Sequence, residues 1–543
     1  MPRPAEARGS RIVLLLLAAG LAGAGVMTVE LAAVRLIAPR FGASSAVWTN
    51  VIGVVLLALS LGYLIGARVS RGADPARALG RVLLLGAVLV AWLPAASGPV
   101  CAALFPDGTA LDEAVGLLVW GSLAAALVLF LPAATVLGCA APLCTEALQR
   151  ARGGGAGESG GRVLAASTVG SLAGAFGTTY VLVPNLGMTG IFLTAGATLA
   201  VAGLALLLTT RSVRTALVLL VPLGLAFAWS RTTDRPVLEG ETLLAQTQSA
   251  YQSLRVVETG SGDERLRRLE VNEGLDSFQS VWIPEPGLLG QGYYYDLFAL
   301  PPHWDSRESS AGGSETWSTL ILGLGAGTTV RVMEGALPSG VELRTVGVEL
   351  DPSVIDLALE HFDLERSDTR QVHGGLDARV GLQHVAGPFD QVALDCYANQ
   401  VEMPPHLATV EFFREVRAAL RPGGWLSINA AGFGLDDPVV DAVARTCATA
   451  FERPVLAVRV PFSRNCMLFA RRDAEVPGPD DETAWHRPGA TFHTLLRQLE
   501  IPGAWRQVVP HQGTPLTDAH SPTERLQLES LISGRRTWLE SRP

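Results

Sequence analysis

The stretch Leu320-Ile-Leu-Gly-Leu-Gly-Ala-Gly-Thr-Thr329, followed by Val346-Gly-Val-Glu-Leu-Asp351, decides the fold of the C-terminal half of the chain. An apolar run that breaks into closely spaced glycines predicts a buried strand, then a turn too tight for side chains. A second strand ending in a carboxylate completes a nucleoside site. Backbone can approach a ligand at Gly323, Gly325 and Gly327, and Glu349 stands where a ribose diol would be gripped.

Downstream, Gly375-Leu-Asp-Ala-Arg379, Phe389-Asp-Gln-Val-Ala-Leu-Asp-Cys-Tyr-Ala398 and Leu420-Arg-Pro-Gly-Gly-Trp-Leu-Ser427 each read as a strand or strand end. Their order is that of a doubly wound, Rossmann-like α/β sheet binding S-adenosylmethionine rather than a dinucleotide. Asp395 ends the apolar strand Val392-Ala-Leu394, at the carboxyl edge where such sheets bind ligands. A carboxylate there can take the proton that an amine sheds as it attacks a carbon beside a sulfonium. For Asp395, Glu349 and Asp377 the alternative is a structural role, for an Asp most simply a helix cap.

The other half is of a different kind. Apolar residues make up 49% of the 543 positions and charged ones 17%, and the two are segregated. Seven candidate membrane spans fall near 11–36, 46–68, 81–103, 114–138, 163–184, 187–209 and 214–230, the last short enough that six crossings are the alternative. The Arg-bearing start and first apolar run have the outline of a secretory signal peptide, but Glu30, Arg35 and six further runs favour a first span. The whole divides into a tail at 1–10, a helical bundle at 11–232, a small β-rich segment at 233–304, a nucleoside-binding domain at 305–475 and a C-terminal linker and helical tail at 476–543. In the β segment, Ser249–Glu258 and Arg268–Gly274 flank the turn Gly260-Ser-Gly-Asp263 and predict a hairpin.

Arginines at 3, 8 and 11, at 68–81, at 150–162 and at 211–214 mark cytoplasmic loops. An inside start with seven crossings would put the C-terminal half outside, where adenosylmethionine is not expected; six would put it in the cytoplasm. A multi-pass inner-membrane protein follows either way. Glu30, deep in the first span, is either a structural pair with Arg35 or part of a polar pathway. Gly170 and Gly174 make a small-xxx-small helix-packing face. The chain has no lysine, which rules out catalysis by a lysine amine. No basic stripe with interleaved aromatics is present, so nucleic acid is not an expected partner. The six cysteines form no Cys-x-x-Cys pair, so no metal is expected.

Taken together, Glu30–Gly42, Ser249-Ala-Tyr-Gln252, Leu269-Glu-Val-Asn-Glu-Gly274, Gly292-Tyr-Tyr-Tyr-Asp296, the glycine turn, Glu349, Asp377-Ala378, Asp395 and Pro405-His-Leu-Ala-Thr409 resemble spermidine synthase. The whole chain resembles bacterial membrane proteins in which such a domain is fused behind a helical bundle. The resemblance implies S-adenosylmethionine or its decarboxylated form as co-substrate. Gln252 would contact the adenosyl ligand, Glu349 its ribose, and Asp377, with Ala378, the adenine amino group. Asp395 would align or deprotonate the nucleophile, with Tyr251 or Tyr294 completing the pocket. His406 is either a base on a closing loop or a cap for the helix starting near Thr409. Of the three tyrosines at least one belongs in the core, and Asp296 is a site neighbour or a solvated turn residue.

The departures point away from a diamine. Ala326 occupies the family's amino-holding aspartate position, Cys396-Tyr-Ala-Asn399 lacks the second acidic residue, and Gly290 and Gln291 replace an acidic pair. A diamine is held chiefly by carboxylates, so the expected acceptor is not free putrescine but a small-molecule or membrane-linked group; the alternatives are a genuine polyamine aminopropyltransferase and a membrane transporter or sensor whose domain binds the nucleoside without catalysis. A lipid bilayer is the expected surrounding, and a homodimer is allowed for. Thr517-Asp-Ala-His-Ser-Pro522 has no role legible in the sequence.

Overall fold

The computed structural model describes residues 4–41, 45–105, 117–153, 155–210, 213–229, 237–249, 251–271, 279–290, 292–305, 315–397, 403–481, 489–497, 499, 503–511, 513–523, 525–527 and 529–530. The motif residues Asn272-Glu-Gly274, Gln291, Ala398 and Asn399 lie outside them. The chain forms two compact units. One comprises Met1–Val237 with Thr247–Ser253 and Asn272–Asp276, the other Leu238–Gln246, Leu254–Val271 and Ser277–Pro543.

The first unit is helical: α1 (Pro4–Phe41), α2 (Ser45–Val69), α3 (Pro75–Leu104), α4 (Ser122–Gly138), α5 (Ala140–Arg152), α6 (Ala156–Gly177), α7 (Met188–Thr209) and α8 (Val213–Trp229). Among the described residues five helical stretches are long and apolar enough to cross a membrane: Gly9–Phe41, Ala46–Val69, Pro75–Leu104, Val119–Arg152 and Met188–Thr209. By length and hydropathy the described residues thus hold five such helices, fewer than the seven expected. The run at 163–184 is helical, but α6 is rich in Gly, Ala, Ser and Thr; the run at 214–230 is only the 17 residues of α8. Those small residues serve close packing, as the spacing of Gly170 and Gly174 predicts. A methyl group on Gly170 would lie 1.9 Å from the Gly20 carbonyl oxygen of α1, and one on Gly174 would lie 2.6 Å from that of Ala24. One turn on, the buried hydroxyls of Thr28 and Thr178 hydrogen-bond at 2.9 Å. At the far end of α1, Arg35 donates from Nη1 to the Ser249 carbonyl at 3.3 Å.

The second unit opens with a four-stranded antiparallel sheet, β1 (Glu241–Gln248), β2 (Ser253–Thr259), β3 (Leu266–Val271) and β4 (Ser280–Trp282), in sequential order. Strands β2 and β3 form the expected hairpin, pairing Leu254 with Val271 and Thr259 with Leu266.

Next come β5 (Glu315–Leu322), α9 (Thr328–Ala336), β6 (Val341–Glu349), α10 (Pro352–His361), β7 (Arg370–Gly374), α11 (Ala378–His384), β8 (Phe389–Leu394), α12 (Val410–Ala419), β9 (Leu420–Ala431), α13 (Pro438–Phe451), β10 (Val455–Arg459), β11 (Asn465–Arg471), α14 (Ala490–Arg497) and β12 (Trp505–Val508). They build an eight-stranded sheet ordered β12-β10-β11-β9-β8-β5-β6-β7. Strands β5 to β9 are parallel, whereas β11 runs antiparallel to β9. Both faces are covered, as a parallel sheet requires. On β5, Ile321 packs into one apolar core with Trp304, Met333 and Phe469, while Leu320 and Leu322 enter another with Val392, Phe412 and Ile428. The strand order reverses at β5, flanked by β6 and β8, which opens a ligand crevice at the carboxyl ends of these strands.

Candidate active site

Gly323, Gly325 and Gly327 all take positive φ, at +84°, +53° and +88°. At Gly323 even a methyl group is excluded, since it would stand 2.1 Å from the Asp395 carbonyl oxygen. That close approach is reinforced by the Asp395 N–H, which donates to the Leu322 carbonyl at 2.8 Å. The turn and the end of β8 are thus built as one piece.

Glu349 ends β6 and is 6% exposed. Its Oε2 accepts from the Gly325 N–H at 2.9 Å and its Oε1 from the Asp351 N–H at 3.1 Å. Burial raises the pKa of its carboxyl, and these two backbone donors oppose the rise. Each oxygen keeps a further lone pair for a hydroxyl donor, which suits the ribose role. Asp377 caps α11, with Oδ1 accepting from the Arg379 and Val380 N–H groups at 2.9 and 3.3 Å. Its other oxygen, Oδ2, is not used by the cap and meets His406 Nε2 at 3.0 Å. Ala378, the first residue of α11, is buried behind it.

Asp395 is no helix cap. Its Oδ2 accepts from the Tyr294 hydroxyl at 3.1 Å and its Oδ1 from the Asn429 amide at 2.8 Å. Burial pushes its carboxyl up to about 6, against the pull of the same two hydrogen bonds. A carboxyl so placed can exchange a proton near neutral pH. Tyr294 stacks against Tyr295, ring centroids 4.1 Å apart, and Tyr295 is the core member, its hydroxyl donating to the Gln279 carbonyl at 2.7 Å. Asp296 is fully buried and accepts from the Leu289 and Gly290 N–H groups at 2.8 Å each, so the solvated-turn reading is corrected.

The helix that begins after Thr409 is capped by the Thr409 hydroxyl, which accepts from the Phe412 N–H at 3.3 Å. The capping reading of His406 is thereby overturned. Tyr251 and Gln252 fall in the stretch that groups with the helical unit. There the Ser249 hydroxyl accepts from both of their N–H groups, at 3.0 and 2.9 Å, and Tyr251 is exposed. Ala326 is buried, and its N–H donates to the Ser280 hydroxyl at 2.8 Å.

Four participants escaped the reading of the sequence. Asn429 lies two residues beyond the stretch read up to Ser427; as the polar end of an apolar strand it carried the same signal as Asp395. Its carbonyl accepts from the Asn465 amide at 2.8 Å, and the Asn465 carbonyl accepts from the Ser463 hydroxyl at 2.7 Å. The Tyr397 hydroxyl spans the same strand end, donating to the Asn429 carbonyl at 2.6 Å and accepting from the Ala431 N–H at 2.7 Å. The Cys396 thiol is pushed well above its ordinary range by burial and by the charges of Glu349, Asp395 and Asp377, which places it among the three candidate ligand carboxylates. Ser280 closes the glycine turn. Among the described residues no cluster of His, Cys, Asp and Glu suits a metal ion.

No family model matches the chain. It is 28% identical over 310 residues to a "Probable polyamine aminopropyl transferase" of Bifidobacterium longum, covering 54% of this chain and 64% of that protein. It is 30% identical over 348 residues to a polyamine aminopropyltransferase of Mycobacterium tuberculosis, covering 60% of this chain and 59% of that one. The chain thus spans about six tenths of the length of these curated relatives. A solved structure described as a probable spermidine synthase, from Corynebacterium glutamicum, is 20% identical, with 50% of this chain and 91% of that one covered and a TM-score of 0.39. With an α/β domain following its apolar helices, the chain is similar in sequence to polyamine aminopropyltransferases.

Proposed function

We propose that the protein is a membrane-bound transferase that moves an alkyl group from S-adenosylmethionine, or its decarboxylated form, to an acceptor other than free putrescine. The observation that carries this reading is Asp395, held between Tyr294 and Asn429 and backed directly onto the glycine turn. In the step envisaged, an N–H or O–H nucleophile attacks the carbon attached to the sulfonium. The carbon–sulfur bond breaks, its electron pair leaves with a neutral thioether, and the nucleophile's proton passes to Asp395. Much of the rate would come from aligning nucleophile, carbon and sulfur. Glu349 would hold the ribose and Asp377 the adenine amino group.

The acceptor's chemistry follows from what surrounds Asp395. Behind it stand neutral groups, Asn429, Asn465 and Ser463, and Ala326 supplies no charge. Among the described residues that contact Asp395 none adds a second carboxylate, which leaves a desolvated diammonium ion short of partners. A membrane- or lipid-linked acceptor fits better. The names of the relatives favour a second reading, a genuine polyamine aminopropyltransferase. Calorimetric titration of the detergent-purified protein with adenosylmethionine, its decarboxylated form and methylthioadenosine separates the two, with Glu349→Ala as control. Preference for intact adenosylmethionine supports the first, tighter binding of the decarboxylated form supports the second, and no binding by any of them sinks both.

A further inference from the structure

The turn at Thr517–Ser521 lies beyond the last strand of the sheet, yet its hydrogen bonds return to one short segment. It is closed by reciprocal backbone bonds between Thr517 and His520, at 3.0 and 2.9 Å. Asp518 Oδ1 accepts from the Thr409 hydroxyl at 2.7 Å, and its own N–H donates to Glu411 Oε2 at 3.0 Å. The Ser521 hydroxyl donates to the Pro405 carbonyl at 3.1 Å, and the Val410 N–H to the Leu516 carbonyl at 2.9 Å. All four bonds fall on residues 405–411, the segment that carries His406 to Asp377.

Arg379 ties the turn to the nucleoside side of the site. Its guanidinium donates to both oxygens of Asp518, at 2.8 and 2.9 Å, to Glu415 at 2.6 Å and to the His406 carbonyl at 3.3 Å. Its own N–H is one of those capped by Asp377. Asp518 and Glu415 thus occupy a cation that starts one residue into α11. Released from Asp518, that cation would be held by Glu415 and the His406 carbonyl alone and could shift toward Asp377, competing for the oxygen an amino group must reach. The His406 segment would lose one of its four bonds to the turn and its neighbour Leu516, that of Thr409, in the same event.

We infer that Asp518 and its turn are a positioning device for the co-substrate, holding the His406 segment against Asp377 while keeping the Arg379 guanidinium off that carboxylate. The inference rests on the nucleoside reading of the site proposed above. It is tested on the full-length protein with Asp518→Asn, which keeps the shape but gives up half the bidentate pair, and with Ser521→Ala, which removes only the bond to Pro405. Methylthioadenosine Kd is read by calorimetry, kcat and KM for the adenosyl co-substrate by thioether release, and melting temperature alongside. Asp518→Asn is expected to raise Kd and KM about tenfold, with kcat within about twofold of the wild type. Ser521→Ala should act in the same direction by less, and the melting temperatures should change little. Wild-type binding with an unchanged Kd in Asp518→Asn overturns the inference alone, as does a loss explained entirely by a lower melting temperature with Ser521→Ala unaffected. Failure of the wild type to bind any adenosyl ligand overturns the nucleoside reading, and this inference with it.

Discussion

The carboxyl of Asp395 sits in a balance between burial, which raises its pKa to about 6, and two donors that restrain the rise. Only the ionised form can accept a proton, so turnover should rise with pH through about 6 and be lost below it. Thioether release followed across pH 5 to 8 checks the position of that limb. Because the folded-state value lies above the ordinary one, the same carboxyl favours folding in acid, a contribution lost as pH rises through about 6. Replacing Asp395 by Asn should cut turnover by about 10²- to 10⁴-fold while co-substrate affinity stays close to that of the wild type. An Asn variant with full turnover would reduce Asp395 to a structural residue. Asn429→Leu makes a separate demand: with one donor gone, the carboxyl climbs further and the acid limb moves to higher pH. A limb that stays in place would mean that Asn429 does not set the state of the base. Asp395 was legible because it ends an apolar strand next to a glycine turn. Its support by Asn465 was not, because that contact crosses from β9 to β11, 36 residues apart.

At the scale of elements, the periodic segments read true and those built on small residues did not. The turn after β5, the carboxylate ending β6 and the β2–β3 hairpin follow from apolar runs and glycine placement alone. The glycine turn also carries a sharp prediction. Gly323→Ala must hold an L residue at φ +84° with its methyl 2.1 Å from the Asp395 carbonyl oxygen. The left-handed conformation costs about 1–2 kcal/mol, and the clash forces β5 and β8 apart. Adenosyl-ligand binding should be lost in calorimetry, and a Gly323→Ala protein that binds normally would show that the turn is not the ligand cradle. In the helical unit the corresponding error was the span count. Helix α6 reads weakly because its Gly170 and Gly174 allow close approach to α1 at the expense of hydropathy. The Thr517–Ser521 turn was opaque for another reason: every partner that gives it meaning lies about 70 or more residues away in sequence, on α11, α12, α13 and the His406 segment.

At the scale of the whole chain, the side of the membrane on which the α/β domain works depends on parity. Five helical stretches satisfy length and hydropathy, leaving α6 and α8 to decide. Helix α6 runs beside α1 through Gly20–Gly170, Ala24–Gly174 and Thr28–Thr178, while Leu164, Val169, Leu172 and Phe176 on its other side are exposed. A helix packed along a crossing partner with an apolar outer face fits a sixth crossing. Helix α8 differs: its 17 residues reach about 26 Å at 1.5 Å each, short of the ~30 Å hydrocarbon core. Arginines stand at both of its ends, Arg211 before it and Arg214 as its second residue, Arg231 and Arg235 after it. Positive charge at both ends marks a helix that stays on the cytoplasmic side. Six crossings from an inside start would return the chain to the cytoplasm, where adenosylmethionine is made available. A fluorescent-protein fusion at the C-terminus should therefore glow and an alkaline phosphatase fusion there should be inactive. An active phosphatase fusion would mean that α8 crosses, and the co-substrate would then have to be supplied from the far side.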